Sequence, residues 1–270
     1  MRINTEKIPR RLRYLDVGAR GGLQKPWKNF RNGIKAILVE ADKKEAHKIA
    51  QNNLGDIIVP AALYSDKGTV EINLCRAGRV SSIYKPNIDF LKNFHDLDRF
   101  TILETVEVES TTIDTLASEC VIDTIDFAKL DVQGAELSVM KGGKNTLARE
   151  AVGLHVEVEF EPIYEGQPLY PEVVEYVRDV LGMEPFETNR VHWIHRTKGK
   201  MPIWGDVLFM RNLDSVVEWS GNFNTETAIE KLLMSLIVAS LFDRREYRSR
   251  LEEEVPDEVK KLFAQLTERA

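Results

Sequence analysis

The stretch Tyr14-Leu15-Asp16-Val17-Gly18-Ala19-Arg20-Gly21-Gly22 is a short apolar run that ends in an acid and then breaks into three glycines. It predicts the first strand of an α/β sheet and the turn after it, because glycines permit positive φ and let the backbone approach a ligand closely. The spacing is D-x-G-x-x-x-G, carried by Asp16, Gly18 and Gly22. The dinucleotide pattern G-x-G-x-x-G would need a glycine where Arg20 stands. Asp16 would repel a pyrophosphate and suits a ligand that carries a cation.

A second apolar run, Ala36-Ile37-Leu38-Val39-Glu40, also ends in an acid. A carboxylate at the tip of a second strand can accept hydrogen bonds from both hydroxyls of a ribose. A cationic sulfonium, an amino acid and a ribose together describe S-adenosylmethionine. Asp16 or Glu40 taken singly would be explained as the end of a strand, but the two acids in this order favour a site for that cofactor.

A third strand ending in an acid is predicted in Ile125 to Glu136, where an apolar run reaches Asp131 and a glycine turn leads into a helix from about Ala135 to Lys141. Asp131 could be a helix N-cap, which is a common role for Asp. We favour a site residue, because three strands then end in acids at one edge of a parallel sheet, where α/β proteins bind ligands.

Candidate bases lie in the stretch Val152 to Glu161, which reads as a further strand. Alternation places His155, Glu157 and Glu159 on one face. We expect Glu159 and Glu161 to face water. His155 and Glu157 become candidates for catalysis if the strand is central, because a buried charge is costly unless it is paired or used.

The remaining segments complete an α/β pattern with an inserted β element. The predicted helices are an irregular one at 23–32, one at 43–53 closed by 53–56, and one at 170–181. The predicted strands are 57–63, then 70–74, 80–84 and 105–109 in the insertion, and 191–195 with 206–210 as a closing pair. The loop at 62–66, including Leu63, could bracket an adenine or be only a hairpin turn.

The chain of 270 residues is 43% hydrophobic with a net charge of -6. The charge argues against a nucleic-acid partner, which would need a basic face. Cys75 and Cys120 suggest neither a disulfide framework nor a zinc site, Met1 to Lys7 shows no apolar run of signal-peptide length, and no stretch is apolar enough to span a membrane. These features predict a cytoplasmic protein without a membrane span.

A helical tail follows the α/β region, and we divide the chain into a Rossmann-like domain, 1–212, and a C-terminal helical extension, 213–270. In the tail, Thr227 to Glu230 resembles a capping box ahead of an apolar run to Phe242, and Pro256 opens a further helix. The extension is expected either to cover the catalytic domain or to join two subunits in a homodimer.

The sequence resembles the FkbM-type methyltransferases over roughly residues 12 to 212. The most specific block is Lys129-Leu130-Asp131-Val132-Gln133-Gly134-Ala135-Glu136. Further matching blocks are Leu15 to Ala19, Val39-Glu40, Ala62 to Asp66 with Gly68, Ser81-Ser82, Thr112 to Leu116, Tyr164 to Leu169 and Gly205 to Phe209. The resemblance implies a doubly wound sheet of class I methyltransferases, S-adenosylmethionine as cofactor, and methylation of an oxygen on a sugar, glycan or secondary metabolite.

Two positions depart from the family pattern. The family usually has Glu where Gln133 stands, which weakens any catalytic role of that position here. It usually has Asn or another small residue where Arg20 stands, so Arg20 must point outward or meet an acidic substrate.

Methyl transfer is an in-line displacement in which positioning supplies much of the rate and a base assists a weakly nucleophilic hydroxyl. We expect Asp16, Gly18 and Gly22 to shape the methionine end, Glu40 to bind the ribose and Leu63 to lie by the adenine. Asp131 should stand beside the reacting centre, and His155 and Glu157 rank ahead of it as the base. No metal site is predicted. The alternatives are a nicotinamide oxidoreductase, disfavoured by the residue at position 20, and a non-catalytic cofactor-binding or scaffold protein on the same fold.

Overall fold

The computed structural model describes residues 3–53 and 55–267. Its strands are β1 Leu12–Val17, β2 Ile34–Val39, β3 Ile57–Val59, β4 Ala62–Leu63, β5 Gly68–Cys75, β6 Ile102–Thr111, β7 Phe127–Leu130, β8 Gly153–Glu159, β9 Met183–His195 and β10 Gly199–Arg211. Its helices are α1 Lys43–Asn52, α2 Ile88–Leu91, α3 Ile113–Ser118, α4 Glu136–Gly142, α5 Lys144–Glu150, α6 Tyr170–Leu181, α7 Leu213–Ser220, α8 Thr225–Leu241, α9 Arg245–Glu254 and α10 Asp257–Thr267. The predictions that fall on Met1, Arg2 and Leu54 lie outside the described residues.

The central sheet has the strand order β3-β2-β1-β7-β8-β10-β9 within the described chain. The first five of these strands pair in parallel, whereas β10 runs antiparallel to both β8 and β9. This order reverses direction between β1 and β7, which creates the crevice where doubly wound sheets bind ligands. It is the Rossmann-like sheet of class I methyltransferases, as the sequence predicted.

Parallel pairing brings the three acid-tipped strands to one edge. Asp16 of β1 lies opposite Leu38 of β2 and Lys129 of β7. Glu40 follows β2 directly and Asp131 follows β7 directly. The prediction that three strands end in acids at the same edge is therefore confirmed.

A smaller sheet of order β4-β6-β5 forms the inserted β element. Ile72 of β5 and Val106 and Val108 of β6 line the cavity described below, so this element forms one of its walls. The predicted strand 57–63 is divided between the two sheets. Pro60 stands at the division, and proline cannot donate a hydrogen bond to a sheet ladder.

Two other local predictions are wrong. Residues 23–30 form turns and Arg31–Gly33 a short 3₁₀ helix, rather than one irregular helix, and Trp27 and Phe30 fold inward with 2% and 5% exposure. Residues 80–84 are not a strand, since only Ser82 bridges to β5, through Asn73. The serines here bond elsewhere: the Ser81 hydroxyl accepts from Cys75 N and the Ser82 hydroxyl donates to the Gln133 carbonyl.

The helices after Arg211 pack on one face of the central sheet, against residues near the amino-terminal ends of β1 and β7. The apolar residues of α8 share a buried cluster with Leu12 and Tyr14 of β1, Phe127 of β7 and Trp27. A hydrophobic face of a sheet must be covered, and α8 covers this one. The apolar residues that suggested a homodimer are thus buried within the same chain; the homodimer and the cytoplasmic location stay predictions.

The helix α8 begins at Thr225, two residues before the predicted capping box, because the Asn224 side chain accepts from Thr227 N. Its Lys231 is 1% exposed and donates to Asp126, just before β7, at 2.9 Å. Arg10 also donates to Asp126, at 2.6 Å and 2.9 Å. This buried ion cluster fixes α8 to the amino-terminal end of the central strand β7. No helix within residues 3–53 and 55–267 has both the length and the apolarity needed to cross a membrane.

Candidate active site

A cavity of about 1270 Å³ opens along the carboxyl edge of the central sheet. Gly18, Glu40 and Leu63 line it on the side of β1 and β2, and Glu157, Asp206 and Trp204 line it on the side of β8 and β10. Ligand pockets usually enclose about 300–1,000 Å³. This cavity can therefore hold a nucleoside-sized cofactor together with a second molecule.

The turn after β1 is packed tightly against the end of β7. Gly18 has φ +81, and a Cβ at this position would lie 2.0 Å from the Asp131 carbonyl oxygen. The amides of Gly18 and Ala19 both donate to the Val39 carbonyl at 3.0 Å. The predicted need for glycine at position 18 thus comes from the neighbouring strand as well as from the turn. Gly22, with φ +77, shapes the same turn, but it is not among the described residues that line the cavity.

Glu40 fits the predicted ribose contact. It is 7% exposed, lines the cavity, and its Oε1 accepts from the Asp42 amide at 2.9 Å. Burial raises the pKa of this carboxyl, and the backbone amide and Arg20 oppose that rise. The apolar residues Val39 and Leu63 line the cavity near it and suit an adenine. This combination of a carboxylate and apolar surfaces fits the nucleoside part of S-adenosylmethionine.

Arg20 lines the cavity and pairs with an acid of this chain. Its Nη2 donates to Asp42 Oδ2 at 3.0 Å, and its side chain is 42% exposed at the rim of the cavity.

Asp16 lies beneath the cavity. It is 1% exposed, accepts from the Tyr14 hydroxyl at 3.2 Å and from Lys129 Nζ at 3.5 Å, and is not among the lining residues. Lys129 also donates to Asp131 Oδ2 at 3.1 Å and does line the cavity. Burial alone would lower the pKa of Lys129, but Asp16 and Asp131 raise it above its ordinary value. Asp16 is thus linked to the cavity by its hydrogen bond from Lys129, a residue that the sequence did not single out.

Both predicted bases line the cavity on β8, which is a central strand between β7 and β10. Burial, together with Lys129, lowers the pKa of His155 to about 4, so its imidazole is neutral at pH 7. Burial, together with Asp131 and other acids, raises the pKa of Glu157 well above its ordinary value. A raised pKa makes the ionised Glu157 carboxylate a stronger proton acceptor, whereas the lowered pKa makes the His155 imidazole a weaker one.

Several cavity residues were missed or misjudged from the sequence. Glu159 was expected to face water, but it is 3% exposed and lines the cavity. Asp206 pairs in register with Glu157, and Trp204 pairs with Glu159. Burial, together with Asp131, raises the pKa of Asp206 to about 6. Alternation along β8 could have found Glu159, which shares a face with Glu157, whereas Asp206 and Trp204 depend on the partner strand.

No group of three or more His, Cys, Asp or Glu side chains is placed to hold a metal ion in the part of the chain that the structure describes. Acids in the cavity and next to it accept hydrogen bonds from protein donors. Glu136 accepts from the amides of Val132 and Gly134 at 2.6 Å and 3.0 Å, and Glu157 accepts from the Gln133 amide.

The sheet order and the cavity define a protein of the Rossmann-like methyltransferase class. The family described as the Methyltransferase FkbM domain matches residues 16–181. The chain therefore belongs to the FkbM methyltransferase family, with S-adenosylmethionine as its cofactor.

One sequence relative and two solved structures are similar to parts of this chain. A stretch of 62 residues is 39% identical to the 2-O-methyltransferase NoeI of Sinorhizobium fredii, covering 23% of this chain and a quarter of that protein. Among solved structures, the methyltransferase FkbM of Methylobacillus flagellatus is 13% identical with a TM-score of 0.42, covering 77% of this chain and 44% of that one. The 1,6-didemethyltoxoflavin-N1-methyltransferase of Burkholderia thailandensis is 14% identical with a TM-score of 0.36, covering 77% and 75%. Both scores lie below 0.5, so the family assignment depends on the sequence match.

Proposed function

We propose that this protein methylates a hydroxyl oxygen of a sugar, a glycan or a related secondary metabolite. The observation that carries the proposal is that Glu157, a buried carboxyl suited to act as a base, lies in the same cavity as Glu40, with Asp131 on the strand between them. The NoeI relative is a 2-O-methyltransferase, and this similarity supports an oxygen acceptor. The short length of that match leaves the acceptor to be identified by experiment.

When bound, S-adenosylmethionine supplies an electrophilic methyl group on a sulfonium. Glu40 would accept hydrogen bonds from the ribose hydroxyls, and Leu63 would cover the adenine. The turn of Gly18 and Gly22 would shape the methionine end, with Asp16 acting through Lys129. Asp131 would then stand between the cofactor side and the acceptor side of the cavity.

The acceptor side combines aromatic rings with carboxyl groups. Trp193 and Trp204 line it together with Glu159 and Asp206. Carboxylates accept hydrogen bonds from hydroxyls, and aromatic faces offer a rigid apolar surface. A polyhydroxylated ring would use both kinds of contact, which supports a sugar.

Glu157 is our candidate general base. It would take the proton of the acceptor hydroxyl while the new carbon–oxygen bond forms and the carbon–sulfur bond breaks, with the electron pair of that bond left on sulfur. His155 is the second candidate; its neutral imidazole can accept a proton, but its pKa of about 4 makes it a weaker base.

The first test is isothermal titration of the protein with S-adenosylhomocysteine, with NAD as the control ligand. Binding of the first alone is expected, and it justifies a screen of sugars and other hydroxyl acceptors with radiolabelled cofactor. Binding of neither ligand would remove the cofactor assignments, and cofactor binding without transfer to any acceptor would favour a non-catalytic binding protein.

A matched pair of variants tests the base. Glu157→Gln should lower turnover about 100-fold or more, as expected for loss of a general base, and should leave S-adenosylhomocysteine affinity unchanged. Glu165→Gln, at an exposed loop position, should change neither. Full activity of Glu157→Gln would contradict the assignment and turn attention to His155.

A further inference from the structure

The backbone of Gln133 is held in an unusual conformation at the end of β7. Its φ is +59, in the left-handed region that most residues with a side chain avoid. Its carbonyl oxygen accepts from the Ser82 hydroxyl at 2.6 Å. Such a conformation persists where the surroundings fix it, and here it directs the side chain toward β8.

The side-chain amide of Gln133 joins groups from three segments of the chain. Its Nε2 donates to Asp131 Oδ1 at 3.2 Å and to Glu157 Oε1 at 2.5 Å. Its Oε1 accepts from the Tyr164 hydroxyl at 3.1 Å. An amide has two N–H donors and one carbonyl acceptor, and all three are used. The reverse orientation would place Oε1 against two carboxyl groups, so the network fixes the amide in one direction.

Tyr164 anchors the other side of this amide. It is 1% exposed, and its hydroxyl also lies 3.1 Å from the Val80 carbonyl oxygen. Since the hydroxyl has one hydrogen for two acceptors, it is held between them and cannot turn away toward water.

The surroundings of Glu157 otherwise oppose its charged form. The acids that face it are Asp131 at the end of β7, Glu136 of α4, Glu159 of β8 and Asp206 of β10, and Lys129 of β7 is the nearby cation. A hydrogen bond donated to a carboxylate favours the charged form, and the amide of Gln133 supplies one. A glutamate at position 133 would supply none and would add another acid.

We propose that Gln133 is a positioning residue that holds the Glu157 carboxyl by Oε1 and so leaves Oε2 to receive the proton of the acceptor hydroxyl. The glutamine that departs from the family pattern is then an adaptation to the acids around it rather than a loss of function. This inference rests on the proposed function, because it assigns Gln133 a task only if Glu157 is the base.

The test measures the titration of Glu157 directly. Protein labelled with ¹³C at the glutamate carboxyl carbon is titrated by NMR, and the Glu157 signal is identified by its loss in Glu157→Gln. Gln133→Glu keeps the length of the side chain but removes the donor. Gln133→Asn keeps an amide that is too short to reach both carboxyls, on a residue that tolerates the left-handed backbone. Gln51→Glu, exposed on α1, adds the same charge far from the cavity.

We expect the Glu157 midpoint to rise by about one pH unit or more, a tenfold change in proton affinity, in Gln133→Glu and Gln133→Asn. It should not move in Gln51→Glu. S-adenosylhomocysteine titration of each variant reports whether the cofactor side is intact. A Glu157 midpoint that stays at the wild-type value in both Gln133 variants, with that affinity retained, overturns the inference and leaves the proposed function standing.

Failure of the proposed function has a different signature. The wild-type protein would then bind no S-adenosylhomocysteine, or would bind it and transfer no methyl group to any hydroxyl acceptor, whereas the Glu157 signal could still be followed. If one Gln133 variant fails to fold, the titration is made on the other. Gln133→Glu preserves the side-chain length, and Gln133→Asn suits the left-handed backbone.

Discussion

Acids at the same sheet edge differ in the charges that face them. Glu40 is buried beside Arg20 and the Asp42 amide, both of which favour its carboxylate. Burial of Asp206, together with the nearby Asp131, opposes its carboxylate and raises its pKa to about 6. The first arrangement suits a group that accepts hydrogen bonds from a cofactor, and the second suits a group that changes protonation near neutral pH.

Replacing Glu40 with Ala should weaken S-adenosylhomocysteine binding by about 1–3 kcal/mol, because charge-assisted hydrogen bonds to the ribose are lost. Isothermal titration measures the change. Glu175→Ala, at an exposed position of α6, is the control and should bind as the wild type does. Unchanged affinity in Glu40→Ala would sink the ribose assignment.

Asp206→Asn should change how stability depends on pH. The folded-state pKa of about 6 lies above the unfolded value of 3.8, so the folded protein holds more protons between these values. The stability that Asp206 contributes is therefore present at pH 4 and lost as pH rises through 6. Relative to wild type, the Asn variant should be more stable at pH 8 than at pH 4.

Urea unfolding at several pH values measures this difference, with the exposed Asp179→Asn as the control for loss of a surface carboxylate. A difference between Asp206→Asn and wild type that does not vary with pH would show that Asp206 is not buried among acids.

The residues that the turn after β1 can accept depend on the end of β7, which packs against it. Gly18 and Gly21 have nearly the same φ, +81 and +83, but only Gly18 would direct a Cβ into the end of β7. The contact is with backbone, which cannot move aside as a side chain can.

Gly18→Ala should therefore destabilise the protein by roughly 3 kcal/mol or more, from backbone strain and the contact with the Asp131 carbonyl together. Gly21→Ala has nothing within 4 Å of the added Cβ and should cost only the strain, about 1–2 kcal/mol. Urea unfolding of the two variants gives the comparison, and equal losses would mean that β7 does not constrain the turn.

The whole molecule depends on the C-terminal helices because they and the sheet form one buried cluster. Leu232, Leu233 and Leu236 of α8 lie in it with residues of β1, β2 and β7. One sheet face is thus apolar where α8 covers it and polar where it borders the cavity. The extension from residue 213 covers the apolar part of that face.

Lys231→Met should destabilise the chain by about 3 kcal/mol, because removing one partner of a buried ion pair leaves Asp126 without part of its compensation. Lys260→Met, on α10, loses an exposed pair at 3.8 Å with Asp257 and an exposed hydrogen bond at 3.1 Å to the Glu253 carbonyl, and should cost less than about 1 kcal/mol. Thermal or urea unfolding measures both. A loss for Lys231→Met no larger than for Lys260→Met would show that the ion cluster does not hold α8 in place.

Local patterns in the sequence predicted the strands along the chain, the three acids at their ends and the glycine turn. Apolar runs ending in Asp16, Glu40 and Asp131 identify buried parallel strands, and parallel pairing brings their ends together. His155 and Glu157 followed from alternation along one strand. Residues 23–32 and 80–84 were misread, because Trp27 and the serines at 81 and 82 are fixed by partners distant in sequence.

The sequence by itself determined the sheet edge and the kind of cofactor it binds. Each strand of that edge is identified by a short local pattern, an apolar run that ends in an acid. Only the tertiary structure decided that Asp16 is buried and hydrogen-bonded to Lys129, that Glu159 is buried, and that Gln133 joins Glu157 to Tyr164. Burial and hydrogen bonding are properties of neighbours in space, and β8 obtained its neighbours from β10 and α4, which lie elsewhere in the chain.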